Sequence, residues 1–213
     1  MPKPAARRDR APIRPARRTQ AERRATTRQS LLDAAVASLV EAGYAGATTT
    51  EVCRRAGVSQ GALFKHFASK AELVAAAAGH LFENLVDAFQ TALPSGVAAA
   101  DRPAVAVRQL WSVFQQPRLH AAFELYNAAR TDAELARTLA PVAARHADNV
   151  RAHARSLFPE AAASRPDFDA VVNVVVSAMQ GAAVGDFTNG DPEADEALLA
   201  VLTDLVRRTV VTS

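Results

Sequence analysis

Residues 48–73 read TTTEVCRRAGVSQGALFKHFASKAEL, and this stretch decides the fold. Thr48 followed by Glu51 fits a capping box at the start of a short helix. Gly57 is the kind of residue that ends a helix, and it does so about eight residues later. Ser59 can cap a further helix immediately afterwards. The pattern predicts two short helices joined by a tight turn.

A third helix precedes these two. Apolar residues recur with 3.6-residue spacing from Thr26 until Gly43 stops the pattern. With the second short helix running through Phe67, the three helices have the layout of a helix-turn-helix unit. The second helix braces the third, whose N-terminal face is exposed to a major groove. The residues spaced to form the small core between them are Val52, Val58, Leu63 and Phe67.

The other faces of the third helix carry side chains suited to DNA. Gln60 can bind adenine through two hydrogen bonds, and Ala62 can contact a thymine methyl group. Lys65 can reach guanine or a phosphate. The candidate reading set is therefore Gln60, Gly61, Ala62, Phe64 and Lys65.

Residues 28–73 resemble the DNA-binding region of the TetR family of transcriptional regulators. The resemblance rests on Ala56-Gly57-Val58-Ser59, Leu63, His66-Phe67 and Lys70, all at the family spacing. It implies base or backbone contacts by the reading set and phosphate contacts by Thr50, His66 and Lys70. The family usually has Tyr where this chain has Phe64, so ring packing remains there without a phosphate hydrogen bond. The predicted DNA-binding set is completed by Arg23, Arg24, Arg28, Thr48 and Ser59.

Two of these positions have simpler interpretations. His66 can pack between helices without touching DNA. Lys70 follows Ser69, which together with Glu72 fits a second capping box that opens a long helix. A positive charge at a helix N-terminus opposes the helix dipole, so we expect an anion, a DNA phosphate, beside Lys70.

Charge is divided unevenly along the 213 residues. The formal net charge is +3, but residues 1–70 carry +9 and residues 71–213 carry −6. A basic first third favours a polyanionic partner. Residues 1–25, rich in Arg and Pro, predict a flexible basic arm that can lie in the adjacent minor groove; the alternative is a solvated tail without a partner.

Several classes of protein are excluded by what the sequence lacks. Cys53 is the only cysteine, which excludes a disulfide framework and a cysteine-built zinc site. The usual nucleotide, zinc-protease and redox motifs are absent, so we expect no enzyme, no catalytic residues, no metal and no cofactor. We find neither a secretory signal nor an apolar run near the roughly 20 residues that span a membrane. The predicted location is the cytoplasm.

The remaining sequence predicts helices separated by Pro, Gly and Asp. The expected fold class is all-α, with about nine helices: an arm at 1–25, a helix-turn-helix domain at 26–72 and an effector-binding and dimerisation domain at 73–213. Pro141 predicts a kink or break in a long helix. The β-branched cluster at 171–176 is interpreted as helical because apolar spacing continues to Met179.

The last two predicted helices favour a homodimer through residues 167–211. Apolar side chains cover a wide arc of the helix beginning at Asp167, and a helix that is apolar on two faces needs two partners. The family resemblance implies the same four-helix interface between two chains. The alternative is an ordinary monomer core.

Aromatic residues cluster in the middle of the chain, where core packing is the simplest interpretation. The family resemblance implies that some of them line a cavity for an unknown small apolar or amphipathic effector. The candidate set is Phe82, Phe89, Trp111, Phe114, Phe123, Tyr126 and Met179.

The function predicted is a ligand-responsive transcriptional regulator. In this hypothesis a repressor binds a palindromic double-stranded operator as a homodimer and is released by a small molecule. The alternative is an architectural DNA-binding protein or an activator without an effector, which would need no cavity.

Overall fold

A computed structural model describes residues 19–92 and 96–210, and within these ranges the chain is helical without a strand. The all-α prediction is confirmed. Ten helices are present in these ranges, because Pro159 begins a short separate helix that the sequence did not reveal. They are α1 Gln20–Gly46, α2 Thr49–Ala56, α3 Gln60–Phe64, α4 Lys70–Ala92, α5 Arg102–Phe114, α6 Pro117–Ala129, α7 Ala133–Leu157, α8 Pro159–Ser164, α9 Phe168–Asn189 and α10 Pro192–Val210.

Helix α1 begins earlier than expected, at Gln20 rather than Thr26. The Thr19 hydroxyl accepts the backbone N–H of Glu22, whose carboxylate accepts the N–H of Thr19. This capping box starts the helix within the predicted arm, so the expectation of a flexible segment to residue 25 is wrong from residue 20 onward. The rest of the predicted arm, residues 1–18, lies outside the described residues.

The predicted caps of the two short helices are confirmed. Thr48 accepts the N–H of Glu51, and Ser59 accepts the N–H of Ala62, each at 3.2 Å. Gly57 lies between them in the left-handed region with φ of 66°, a conformation that only glycine adopts without strain. These local signals set the tight turn that orients α3 on α2.

Two local expectations in this region are wrong. Glu51 does not reach back to complete a capping box, because its carboxylate binds Arg54 and Arg55 instead. Helix α3 ends at Phe64 and not at Phe67. The chain there turns toward the core, and Phe67 is buried.

A continuous core joins the three N-terminal helices to the bundle. Leu31, Val52 and Leu63 are buried between α1, α2 and α3, and Phe67 continues this core toward α4. Cys53 is buried beside Val52, and burial raises the pKa of its thiol. The head formed by α1–α3 is thereby fixed to α4.

Helices α4–α10 form the bundle. Helix α4 packs most extensively on α7, and α10 packs on α5 and α9. Pro141 lies inside a continuous α7, so the predicted break is absent. Leu139 and Val142 are buried on either side of the exposed Pro141, so the helix packs on the core around the proline.

One stretch of α9 has the length and composition of a membrane-spanning helix, contrary to the sequence expectation. Residues Phe168–Gly185 have a mean hydropathy of 1.4. In the fold, Val175, Met179 and Ala183 are buried in the bundle, while Val174 and Val184 are exposed. Helix α9 is therefore a bundle helix with a second, uncovered apolar face.

Candidate DNA interface and ligand cavity

Helix α3 has one face in the core and one open to solvent. Leu63 is fully buried, whereas Gln60, Gly61 and Lys65 are exposed and Ala62 is half-buried. Phe64, the residue after Leu63, has half of its side chain exposed. The structure thus brings the predicted reading set together on the surface of α3 and on Lys65, the residue directly after it.

Gln60 is oriented by α2. Its Nε2 donates a hydrogen bond of 2.8 Å to the Thr50 hydroxyl at the start of that helix. An amide has a second N–H and a carbonyl oxygen, and these are the groups that bind adenine bidentately. Thr50 therefore positions the amide of Gln60 and leaves available the two groups that the prediction assigns to adenine.

A basic cluster lies beside this surface. Burial, followed by the charges of Arg24 and Arg28, lowers the pKa of His66. The Arg28 guanidinium stands 5.2 Å from the centre of the Phe67 ring. Both arginines and Arg23 are exposed, so this part of α1 presents positive charge next to α3.

Both arginines of α2 form ion pairs with carboxylates of the protein. Arg54 binds Glu51 at 2.7 Å, and Arg55 binds Glu51 and the Glu41 carboxylate of α1. Hydrogen bonds from both arginines lower the pKa of Glu51 to about 2. These ion pairs hold α2 against α1. Arg54 and Arg55 are therefore paired within the protein and are not counted among the candidate phosphate contacts.

Lys70 has a partner that the sequence argument did not anticipate. Its ammonium group donates a hydrogen bond of 2.7 Å to the backbone carbonyl of Tyr44 and lies 4.2 Å from the centre of that ring. Burial lowers its pKa. The premise that only an external anion could balance Lys70 is wrong, and its phosphate contact stays a prediction.

Tyr44 is the centre of a joint between head and bundle. Its N–H donates to Glu124 of α6 at 2.7 Å, and its hydroxyl donates to Asp132, which caps α7, at 2.6 Å. Burial and the Asp132 hydrogen bond raise the pKa of Tyr44 to about 12. Together with Lys70, these contacts join α1, α4, α6 and α7 at one point.

Gly43 makes the close approach at this joint possible. Its φ is 65°, and a Cβ atom at this position would stand 2.5 Å from the Glu124 carboxylate. Only glycine leaves room for that carboxylate to reach the N–H of Tyr44. The glycine that the sequence marks as a helix stop therefore also holds α6 against α1.

The bundle contains a cavity of about 460 Å³ among α4, α5, α6, α7, α9 and α10. Five of the seven predicted effector residues line it: Phe82, Phe89, Phe114, Phe123 and Tyr126. Trp111 and Met179 are buried in the core and do not line it. Clustering and helical spacing do not say which helix face meets a cavity, and these two side chains pack in the core instead.

Two histidines of α7, absent from the predicted set, also line the cavity. The His146 ring stacks on Phe82 with centres 4.1 Å apart, and the His153 ring meets Phe89 edge-on at 5.1 Å. Burial lowers the pKa of His146 to about 4 and also lowers that of His153. Their seven-residue separation places the two side chains on one face of the helix, two turns apart.

The large apolar side chains left exposed in the described ranges are few and grouped. They are Phe64 on α3, Val174 and Val184 on α9, and Val201 on α10. Scattered exposed apolar residues are ordinary, but these fall on the reading helix and on the two helices expected to pair with a second chain. Within the same ranges, no group of three His, Cys, Asp or Glu side chains could hold a metal ion.

A helix-turn-helix head with a basic flank, fixed to a helical bundle with an apolar cavity, defines a DNA-binding regulator. Residues 31–77 match the family model described as bacterial regulatory proteins, tetR family. An uncharacterized HTH-type transcriptional regulator of Mycobacterium tuberculosis is 32% identical over 191 residues, covering 89% of this chain and 97% of the relative.

Solved structures share the fold along nearly their whole length. A transcriptional regulator from Rhodococcus sp. has a TM-score of 0.68 at 22% identity, covering 87% of this chain and 99% of its own. The multidrug binding protein EbrR, complexed with ethidium, has a TM-score of 0.65 at 25% identity, covering 84% and 98%. The chain belongs to the TetR family of transcriptional regulators and is not an enzyme.

Proposed function

We propose that the protein is a ligand-responsive repressor that binds a palindromic operator as a homodimer and is released by a small molecule. The observation that carries this proposal is the coexistence of an oriented reading surface on α3 and a 460 Å³ cavity in the bundle. The Tyr44 joint connects the two through hydrogen bonds. An architectural DNA-binding protein needs no such cavity.

On DNA, α3 would lie in the major groove with Gln60 reading adenine and Lys65 reading guanine or a phosphate. Exposed Arg23, Arg24 and Arg28 would neutralise phosphates beside it. Phe64, Ala62 and Gly61 would pack against base edges or sugars. Residues 1–18 would add further phosphate neutralisation as a basic arm.

A second copy of the chain would cover α9 and α10. Val174, Val184 and Val201 are exposed there, and exposed apolar side chains on neighbouring helices favour an interface. On the same face of α9, a Cβ atom added at Gly181 or Gly185 would meet nothing within 4 Å, which leaves room for a partner helix. A two-fold dimer would place two reading helices on successive major grooves and impose a palindrome.

Release would pass through α6. Phe123 and Tyr126 line the cavity, and the intervening Glu124 binds the N–H of Tyr44 in the head. The dimer would have one state with α6 in place and another with α6 shifted, which differ in the spacing of the two heads. A ligand would change that spacing only if it binds one of these states more tightly than the other. EbrR complexed with ethidium supports an organic ligand in this fold. The proposed location is the cytoplasm.

Binding-site selection on the natural chain and three variants tests the DNA mode. Gln60→Ala should relax preference at one position of each half-site, at a loss of about 1–3 kcal/mol for the preferred base. Arg24→Ala should weaken all sequences alike and reduce the salt slope by roughly 1–2 for a dimer. Lys70→Ala should leave the selected sequence unchanged.

The control is Arg54→Ala, since Glu51 already neutralises that guanidinium, and its salt slope should match the natural chain. Selection of a non-palindromic site by the natural chain would contradict the dimeric mode. A changed preferred sequence for Lys70→Ala, with an unchanged one for Gln60→Ala, would contradict the placement of α3 in the groove.

A further inference from the structure

The lining of the cavity restricts the charge of its ligand. Among the lining residues that the structure describes, none is Asp, Glu, Lys or Arg. An ion without a counter-charge in such a site would lose its hydration without compensation. Uncharged molecules are therefore favoured over carboxylates, phosphates and organic cations.

The aromatic side chains restrict its shape. Tyr126 stacks on Phe82 with ring centres 6.4 Å apart, and His146 stacks on the same ring with centres 4.1 Å apart. Phe114 and Phe123 form a second stacked pair at 6.1 Å. Flat walls of this kind are complementary to aromatic rings, and a cavity of about 460 Å³ is within the range for drug-sized ligands.

The two histidines supply hydrogen-bonding groups that no protein atom uses. His146 Nδ1 and His153 Nε2 are buried without a hydrogen-bond partner. A half-turn about the bond between Cβ and the ring keeps each ring in its plane, because this torsion is broadly two-fold. The contacts with Phe82 and Phe89 are thereby preserved, while the unpartnered nitrogen moves to the opposite edge of a ring that lines the cavity.

The spacing of the histidines sets the distance between the polar ends of the ligand. His146 and His153 are seven residues apart on one helix, which corresponds to roughly 10 Å along its axis. A neutral imidazole has one donor and one acceptor nitrogen. A hydroxyl group can both donate and accept, so it fits either tautomer.

We infer that the cavity selects an uncharged aromatic molecule with a hydroxyl group at each end, one bound by His146 and the other by His153. This inference deepens the proposed function and rests on it, since it names the class of effector. It also assigns a binding role to two residues of α7 that face Phe82 and Phe89 of α4.

The test uses the full chain and four probes of related shape: biphenol with para hydroxyl groups at both ends, biphenyl, biphenyl para-dicarboxylate and ethidium. Calorimetry should show biphenol binding about tenfold more tightly than biphenyl, as two net hydrogen bonds provide. The dicarboxylate and ethidium should bind more weakly than biphenol.

His146→Phe and His153→Phe keep an aromatic ring in place and remove the nitrogen atoms. Each should weaken biphenol about threefold or more while leaving biphenyl unchanged. The matched control is His80→Gln, because His80 hydrogen-bonds Asp33 outside the cavity. Unchanged operator binding by each variant shows that it is folded.

Equal affinity of the natural chain for biphenol and biphenyl, tighter binding of either ionic probe, or no binding of any probe would overturn the inference. Release of operator DNA is measured separately. If an ionic probe binds more tightly and releases the operator, the ligand class is wrong and the proposed function stands. If biphenol binds as expected but no probe releases the operator, the ligand class stands and release by this cavity fails.

Discussion

In the DNA-reading head, helix boundaries are set by residues a few positions away, as Thr48, Gly57 and Ser59 show. The cavity of the bundle is instead assembled from six helices that are distant in sequence. A short motif is therefore enough to define the head. The cavity depends on how helix faces meet after the chain has folded.

The two regions also differ in charge, as two histidines illustrate. The pKa of His66 in the head is lowered by burial and then by Arg24 and Arg28, whereas burial alone lowers that of His146 in the cavity. One environment is half-buried and positive, and the other is apolar. This difference suits a polyanion at one end of the molecule and a neutral ligand at the other.

The largest expected effect is on the outside of the bundle. Val201→Asp should cost the dimer about 3–5 kcal/mol, the effect of an uncompensated buried charge, because Val201 is 66% exposed in one chain and would be covered in two. Analytical ultracentrifugation should show monomer. The control variant Ala194→Asp, at an exposed position near the start of the same helix, should remain dimeric. A natural chain that is itself monomeric would contradict the proposed interface.

The stability of the head should depend strongly on the buried Leu63 and only weakly on its neighbour Phe64. Leu63→Ala should lower the free energy of unfolding by about 2–5 kcal/mol through the void it leaves, since Leu63 is fully buried. Phe64→Ala, at a half-exposed site, should cost much less while still weakening DNA binding. Chemical denaturation and DNA titration measure both, and equal losses of stability would contradict the assignment of the two faces of α3.

The cavity should be destabilised by acid through His146. Its pKa is about 4 when folded and 6.5 ordinarily, so the unfolded chain binds more protons between these values. The contribution of the neutral ring is complete above pH 6.5 and is lost as the pH falls through 4, by on the order of 3 kcal/mol. His146→Phe should lose less stability than the natural chain on acidification. A pKa near 6.5 for His146, measured by NMR, would contradict its placement in a water-free apolar site.

The joint should show the smallest effect. Gly43→Ala should cost about 1–3 kcal/mol, because it combines a strained backbone with a contact 2.5 Å from the Glu124 carboxylate. Gly57→Ala has a similar φ but meets nothing within 4 Å, so it should cost about 1 kcal/mol. Thermal unfolding of the Gly43→Ala and Gly57→Ala variants separates the cost of crowding from that of backbone strain. Equal losses of stability in the two variants would mean that the Glu124 side chain moves away.

Much of the head could be predicted, because caps and turns act over a few residues. The spacing of Thr48 and Ser59 predicts the caps of α2 and α3, and the differences from the structure are also local. Glu51 was expected to complete a capping box, but two adjacent arginines compete for its carboxylate. The arginines around Thr19 and Glu22 favour disorder by composition, whereas the capping box between these two residues starts the helix.

The sequence by itself determined that the described parts of the chain are helical, that residues 48–73 contain a helix-turn-helix and that positive charge is concentrated near it, since each follows from spacing and composition. Only the tertiary structure decided which aromatics line the cavity, that His146 and His153 join them, and that Lys70 meets the carbonyl of Tyr44. The physical reason is that a helical pattern says which side of a helix is apolar but not which helix will cover it. Contacts between residues tens of positions apart depend on that choice.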